Sequence, residues 1–368
     1  MDPADLRADM PALDETIYLN TGASGPSPRR VVEATESWYE YHEFKTPAGP
    51  GMYDPAFELF DDVRETVAGH LGAPARDVAL TASTTDGISR LPLAMDWDET
   101  DVVVRTDVEH AAGILPWRRV RDEYGVEVRV VETDRGRIDP DDWADAVHGA
   151  TLATFSSVCW TSGVRAPVGE LTEIAHDAGA RVVVDAVQSP GQHPIDVTEW
   201  GADAVAASGH KWLLGPWGAG FLYVAPDFAE TLTPAQLGYR NTVDPYADPY
   251  EYEEGARRFE FGTVAPSPYA GLQAAIETME DIGLDTVQSR VERLTDRLKD
   301  GLGEDRLVSP REYHTGLVAF DDETPEETVD RLDDAGIKVR PIPLTNTIRA
   351  SVHVFNTAGD VDALLDAL

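Results

Sequence analysis

Cysteine and lysine are the scarce residues of this 368-residue chain. The single cysteine, Cys159, excludes any intrachain disulfide and any zinc site built on several thiolates. Lysine occurs only at Lys45, Lys211, Lys299 and Lys338. Long apolar runs are also missing. No stretch reaches the roughly 18 residues of a membrane span, so no transmembrane helix is expected. Residues Met1 to Met10 are polar and acidic and do not read as a signal peptide. A cytoplasmic protein is the simplest expectation.

Positive charge is scarce as a whole, with 30 bases against 67 acids and a formal net charge of −37. Such a surface repels nucleic acid and anionic lipid, so neither is expected as a partner. The acids are spread along the chain rather than gathered in a tail. The composition resembles that of halophilic proteins, whose self-repulsion is screened by dense salt.

What is present is an alternation of apolar, β-rich runs with helical patterns. Strands are expected at Val102–Arg105, Val126–Val131, Leu152–Ser156, Arg181–Asp185, Ala204–Ala207 and Phe221–Val224. Helices are expected between them, at Asp86–Ala94, Ala111–Tyr124, Asp139–Val147 and Val168–Ala178. This order predicts an α/β fold with a mostly parallel sheet covered on both faces. Asp139-Pro140 and Thr324-Pro325 carry helix-start signals, and Thr324 with Glu327 has capping-box spacing. Residues 239–260, rich in Tyr, Pro, Asp and Glu, read as a long loop. Ser267–Ile282 and Thr286–Asp300 read as helices. The tail 314–368 reads strand, helix, strand, strand, helix, a small α+β unit. The division expected is a large domain over 16–265, a small one over 1–15 and 285–368, and a joining helix at 266–284.

Ser208-Gly209-His210-Lys211-Trp212 follows an apolar strand and precedes a Gly-rich turn. Desolvation there would lower the Lys211 pKa and supply a neutral amine, the nucleophile for carbonyl chemistry. The same segment also suits a lysine whose stem is buried and whose head is wet. Asp185 ends the strand Arg181–Asp185, where binding residues collect in open α/β sheets. Its carboxylate could keep a pyridine nitrogen protonated, making the ring an electron sink. Alternatively it could cap the following helix.

With these residues in order, the chain resembles class V aminotransferase-fold enzymes, the group of cysteine desulfurases, selenocysteine lyases and isopenicillin-N-epimerase-like proteins. The likeness runs from Tyr18-Leu-Asn-Thr-Gly-Ala-Ser-Gly-Pro to Arg349-Ala-Ser. It is most specific at Asp185-Ala-Val-Gln188 and Ser208-Gly-His-Lys211. The resemblance implies a pyridoxal-phosphate (PLP) dependent type I fold and catalysis on an amino acid by transferase or lyase chemistry. It implies that Lys211 holds the cofactor as a Schiff base and moves protons at the substrate Cα. Asp185 would meet the pyridine nitrogen and Gln188 the phenolic oxygen. Thr84, Thr85, Ser208 and His210 would cradle the phosphate at a helix start, and His110 would stack on the ring. Arg349 would take the substrate carboxylate through two parallel hydrogen bonds, and Asn20 would face the substrate. Thr263 would reach a partner's cofactor phosphate in a homodimer. Taken singly, Thr84 and Thr85 also fit an ordinary helix cap, His110 a surface histidine and Arg349 a surface ion pair.

The pattern breaks in two places. Cysteine desulfurases carry a catalytic cysteine ahead of the carboxylate arginine, but Ile337-Lys-Val-Arg340-Pro-Ile-Pro-Leu-Thr-Asn-Thr-Ile-Arg349 has none. Without a thiolate there, no protein persulfide can form on that loop, and Cys159 reads as a small buried hydrophobe. In Ser157-Val-Cys-Trp160, serine and tryptophan stand where many relatives have His and Asn. An indole N–H donates one bond and cannot replace a carboxamide.

Overall fold

A computed structural model describes residues 1–343 and 345–368. Its centre is a seven-stranded sheet in the order 78–81, 220–224, 204–208, 181–185, 152–156, 102–106, 127–131. Register pairs such as Ser156 with Asp185 and Asp185 with Ala206 are parallel. Gly220–Val224 alone runs against both its neighbours, so the other six strands share one direction.

Both faces of this sheet are covered, and the side-chain period of two sorts the residues. Val182 and Val184 join one buried cluster, whereas Val183 joins the other. Val205 and Ala207 likewise part from Ala204 and Ala206. A third cluster lies under the three-stranded sheet of Arg340–Ile342, Thr347–Ser351 and Leu317–Asp321, against helices Leu284–Leu302 and Ala358–Ala367. The N-terminal helix Pro3–Ala8 is tied to the C-terminal helix by an Arg7–Asp360 ion pair of 2.8 Å.

Leu152–Ser156, Arg181–Asp185 and Ser267–Ile282 form as expected from sequence. The tail holds one strand more than expected. Ile337–Lys338 pairs in parallel with Ile17–Tyr18, and Arg340–Ile342 forms a separate strand. The capping box expected at Thr324 does not form. Asp322 takes the Thr324 N–H (3.0 Å) and the Thr328 hydroxyl (3.0 Å) instead. A true capping box joins Thr357 and Asp360. Asp139 caps its helix as its position implied, accepting from Asp141 N–H at 2.9 Å.

Candidate active site

In open α/β sheets, ligand groups gather at the carboxyl ends of the strands. That edge here presents Ser156, Asp185 and Ser208, each the last residue of its strand. They line a cleft of about 780 Å³, open mouth included. The same cleft is lined by Gly22, Thr84, Thr85, His110, Trp160, Gln188, His210, Lys211, Arg340 and Arg349.

Lys211 sits on the turn between Ala204–Ser208 and Gly220–Val224. The N-terminal segment clamps this turn: Gly25 N–H donates to the His210 carbonyl at 2.8 Å. Only glycine fits at 25, because a Cβ there would stand 2.3 Å from the Lys211 carbonyl oxygen. The turn closes through Leu214, whose φ of +61 is the left-handed region that a branched side chain avoids. Desolvation is the main force lowering the Lys211 amine to about 8, helped by the Arg349 and Arg340 charges and opposed by Asp185.

Asp185 is buried, and one carboxylate oxygen accepts the Val187 N–H at 3.0 Å. Burial raises its pKa, while the Lys211 charge pulls the other way. Gln188 is oriented by Trp212, whose indole can only donate and gives its N–H to Oε1 at 2.6 Å. The Gln188 amide therefore donates, to the Gly22 carbonyl at 3.0 Å. His110 begins a short helical turn and accepts the Ala112 N–H at Nδ1 (3.3 Å). The neutral ring then carries its proton on Nε2. Burial and the nearby Lys211, Arg340 and Arg349 charges lower its pKa.

The helix Thr84–Arg90 starts at this edge, with Ser83 accepting the Asp86 N–H at 3.1 Å. The Thr84 and Ser208 hydroxyls lie 3.0 Å apart. The His210 ring packs against Trp217 at 4.9 Å, and burial lowers its pKa to about 4. Arg349 is 1% exposed. It donates to the Trp160 carbonyl at 2.5 Å, but its Nε and Nη2 find no partner among the described residues. The Trp160 indole N–H is likewise buried and unpartnered.

Asn20 lies outside this cleft, and so does Thr263, whose expected place is at a partner's cofactor. Asn20 is bridged through its backbone to Ser351 and does not line the cleft; Gly22 and Ala23 of the same turn do. Thr263 is exposed, with its hydroxyl 2.7 Å from that of Tyr239. Cys159 is buried, with its sulfur 3.1 Å from the Thr161 hydroxyl. Ser157 also turns away from the cleft, bonding to Ser189 at 2.7 Å.

Sequence reasoning passed over Arg340 and Glu109. Arg340 pairs across the ladder with Arg349. It lines the cleft and makes no ion pair among the described residues. Glu109, beside His110, is buried and accepts from the Ser156 hydroxyl (2.6 Å) and the Thr106 hydroxyl (2.5 Å). Burial pushes its carboxyl up to about 7 against those bonds. Its place directly before His110 was the available signal.

The donor set fits one cofactor chemistry. A desolvated amine suits an aldehyde, a buried carboxylate suits a pyridine nitrogen, and hydroxyls at a helix start suit a phosphate. The orphaned Arg349 and Trp160 donors show that the cleft is built to receive polar groups. Fold and site together define a PLP-dependent enzyme of the type I fold, acting on an amino acid.

The aminotransferase class-V family model matches residues 17–364, and the chain belongs to that family. It is 34% identical to a probable cysteine desulfurase of Methanothermobacter thermautotrophicus, over 99% of this chain and 96% of that protein. Among solved structures, the cysteine desulfurase of Thermococcus onnurineus NA1 superposes with a TM-score of 0.92 at 32% identity, covering 100% and 97% of the two chains. The cystine C–S lyase C-DES, in complex with its product cysteine persulfide, gives 0.90 at 25% identity, covering 97% and 98%.

Proposed function

We propose that this enzyme is a C–S lyase that splits a disulfide-bearing amino acid such as cystine, without a protein-bound persulfide. The single observation that carries this reading is the cysteine-free segment 337–349, which supplies two arginines to the cleft instead. Arg349 would take the carboxylate next to the reacting Cα. Arg340, with no acidic partner among the described residues, would take a second carboxylate at the far end of the substrate.

PLP, when bound, draws electrons from the substrate Cα and makes its proton removable. Lys211 would hold the cofactor and then take that proton with its desolvated amine. Asp185 would keep the ring nitrogen protonated, Gln188 would donate beside the phenolic oxygen, and His110 would cover the ring face. Thr84, Thr85, Ser208 and His210 would hold the phosphate. Removal of that proton by Lys211 would let the β-sulfur leave with the Cβ–S bond pair. Cystine would thus give cysteine persulfide, and the three-carbon remainder would leave as pyruvate and ammonia after hydrolysis.

A second reading, desulfuration of cysteine itself, is favoured by the names of the relatives. The products separate the two. In high KCl, L-cystine is expected to yield pyruvate with free persulfide. Alanine with sulfur retained on the protein would overturn the lyase reading. Arg340→Ala is expected to lower kcat/KM for cystine about 10- to 100-fold, the loss of one charge-assisted hydrogen bond. An unchanged value would remove Arg340 from substrate binding.

We also propose a large part over 16–265 and a small part over 1–15 and 285–368, joined by the helix at 266–284, supported by the separate apolar clusters under the two sheets. A cytoplasmic, salt-adapted homodimer completes the reading. It is supported by the single cysteine, the net charge of −37 and the exposed Tyr239, Val243 and Tyr246 of the long loop near Thr263. Light scattering across a KCl series tests this; a monomer equally stable at low and high salt would refute it.

A further inference from the structure

A second cleft, with about 1080 Å³ of empty space including its mouth, lies behind the Asp185 strand end. Ser156 faces the first cleft and its neighbour Ser157 the second. Its walls come from the start of helix Val168–Asp177, from the chain around Ser189 and His193, and from Tyr313 of the C-terminal part.

Three observations meet here. First, the helix start is uncapped. Pro167 stands at the cap position with no side-chain bond. Val168 N–H is spent on the Ala166 carbonyl (3.0 Å) and Leu171 N–H on the Pro167 carbonyl (3.1 Å). The N–H groups of Gly169 and Glu170 have no acceptor among the described residues. Free N–H groups at the positive end of a ten-residue helix favour an anion.

Second, His193 is 2% exposed and its Nδ1 has no partner. Burial lowers its pKa to about 3, so the ring stays neutral and offers one N–H. The Tyr313 hydroxyl on the same wall is also buried and unpartnered. Unsatisfied buried groups of this kind are rare without a ligand or water to meet them. Third, Arg165 is exposed on the lining and makes no ion pair among the described residues, in a chain where acids outnumber bases more than two to one. His314 is already engaged, accepting the Arg165 N–H at 2.9 Å and meeting Glu312 at 3.3 Å. Glu170 is the one acid on the lining, and its side chain is exposed.

We infer that this cleft is a second small-molecule site that takes an oxyanion, carboxylate or phosphate, between Arg165, the helix start and His193. The half-buried Trp200 gives an organic ligand an apolar surface beside the charge. The site touches the first cleft through covalent structure. Ser157 donates to the Asp185 carbonyl at 3.4 Å, and its partner Ser189 follows Gln188 directly.

Calorimetric titration of the cofactor-saturated protein at fixed KCl tests this, with inorganic phosphate and benzoate as separate probes. One saturable equivalent is expected with at least one of them. Binding of phosphate alone assigns a phosphorylated ligand, and binding of benzoate alone an organic acid. Arg165→Ser, an exposed change, should weaken that affinity about tenfold. The cofactor absorbance should stay unchanged. His193→Leu should weaken it as well, and Arg349→Ala should not. No saturable heat from either probe overturns the inference. So does an affinity that Arg165→Ser leaves intact, or one that Arg349→Ala abolishes.

Discussion

The Lys211→Ala protein should fold, keep its secondary structure and lose turnover by about a thousandfold or more, the scale of losing a nucleophile and general base together. Borohydride reduction of the wild-type holoenzyme should fix the cofactor on the peptide carrying residue 211; in the variant no peptide should carry it. The environment of the amine adds a second readout. With its pKa lowered to about 8, the neutral fraction rises about tenfold between pH 7 and pH 9 and then levels. Acylation of Lys211 in the cofactor-free protein, mapped by peptide, should follow that curve. An ordinary lysine would keep climbing beyond pH 10. Turnover near the wild-type level in the alanine variant would end the assignment of this residue.

Glu260→Ala should be the most damaging change outside the cleft. Both Glu260 oxygens accept from Arg64 at 3.0 Å, one also accepts from Arg240 at 2.9 Å, and the other from the Leu80 N–H at 2.9 Å. All three charged side chains are buried, at 4%, 5% and 9% exposure. Arg64 retains the exposed Asp61 as a partner at 2.5 Å. Arg240 keeps the Gly262 carbonyl at 3.5 Å and the Phe60 and Phe57 rings, at 4.6 and 5.1 Å, but no carboxylate among the described residues. Removing one member of such a buried pair typically costs about 3–5 kcal/mol, because the remaining charge is stranded. The loss should appear as a lower urea midpoint and as weaker cofactor retention, since Leu80 lies in the strand that leads to Ser83 and Thr84. Glu260→Gln keeps the acceptor without the charge and should fall between. A midpoint unmoved by the alanine change would show that the arginines find other partners.

The strands and helices around the site are legible because local pattern suffices for them. Arg181–Asp185 is an apolar run ended by a carboxylate, and Leu152–Ser156 is one ended by a hydroxyl. What stays hidden depends on register and distance. Nothing in the periodicity of Phe221-Leu-Tyr-Val states that Gly220–Val224 runs backwards. The two-residue pairing of Ile17 with Ile337 spans nearly the whole chain, and no window of sequence contains both. The Thr324–Glu327 spacing suits a capping box, yet Asp322 competes for the same N–H. Arg340 becomes a site residue only once the ladder sets it opposite Arg349. Lys211 and Asp185 are legible from their own surroundings, Gln188 and His110 only through the family resemblance, and all four line one cleft.

The reversed strand has a consequence for how the amine is held. A parallel connection would carry the chain away to the opposite rim through a helix. Because Gly220–Val224 doubles back, residues 209–219 leave and re-enter the sheet at the same rim, between rungs Ser208 and Gly220 of a single ladder. The segment that carries Lys211 is thus moored at both ends to the central seven-stranded sheet. Arg340 and Arg349 hang from a separate, smaller sheet. Any adjustment to substrates of different length therefore falls to the arginine side, with the amine as the fixed point.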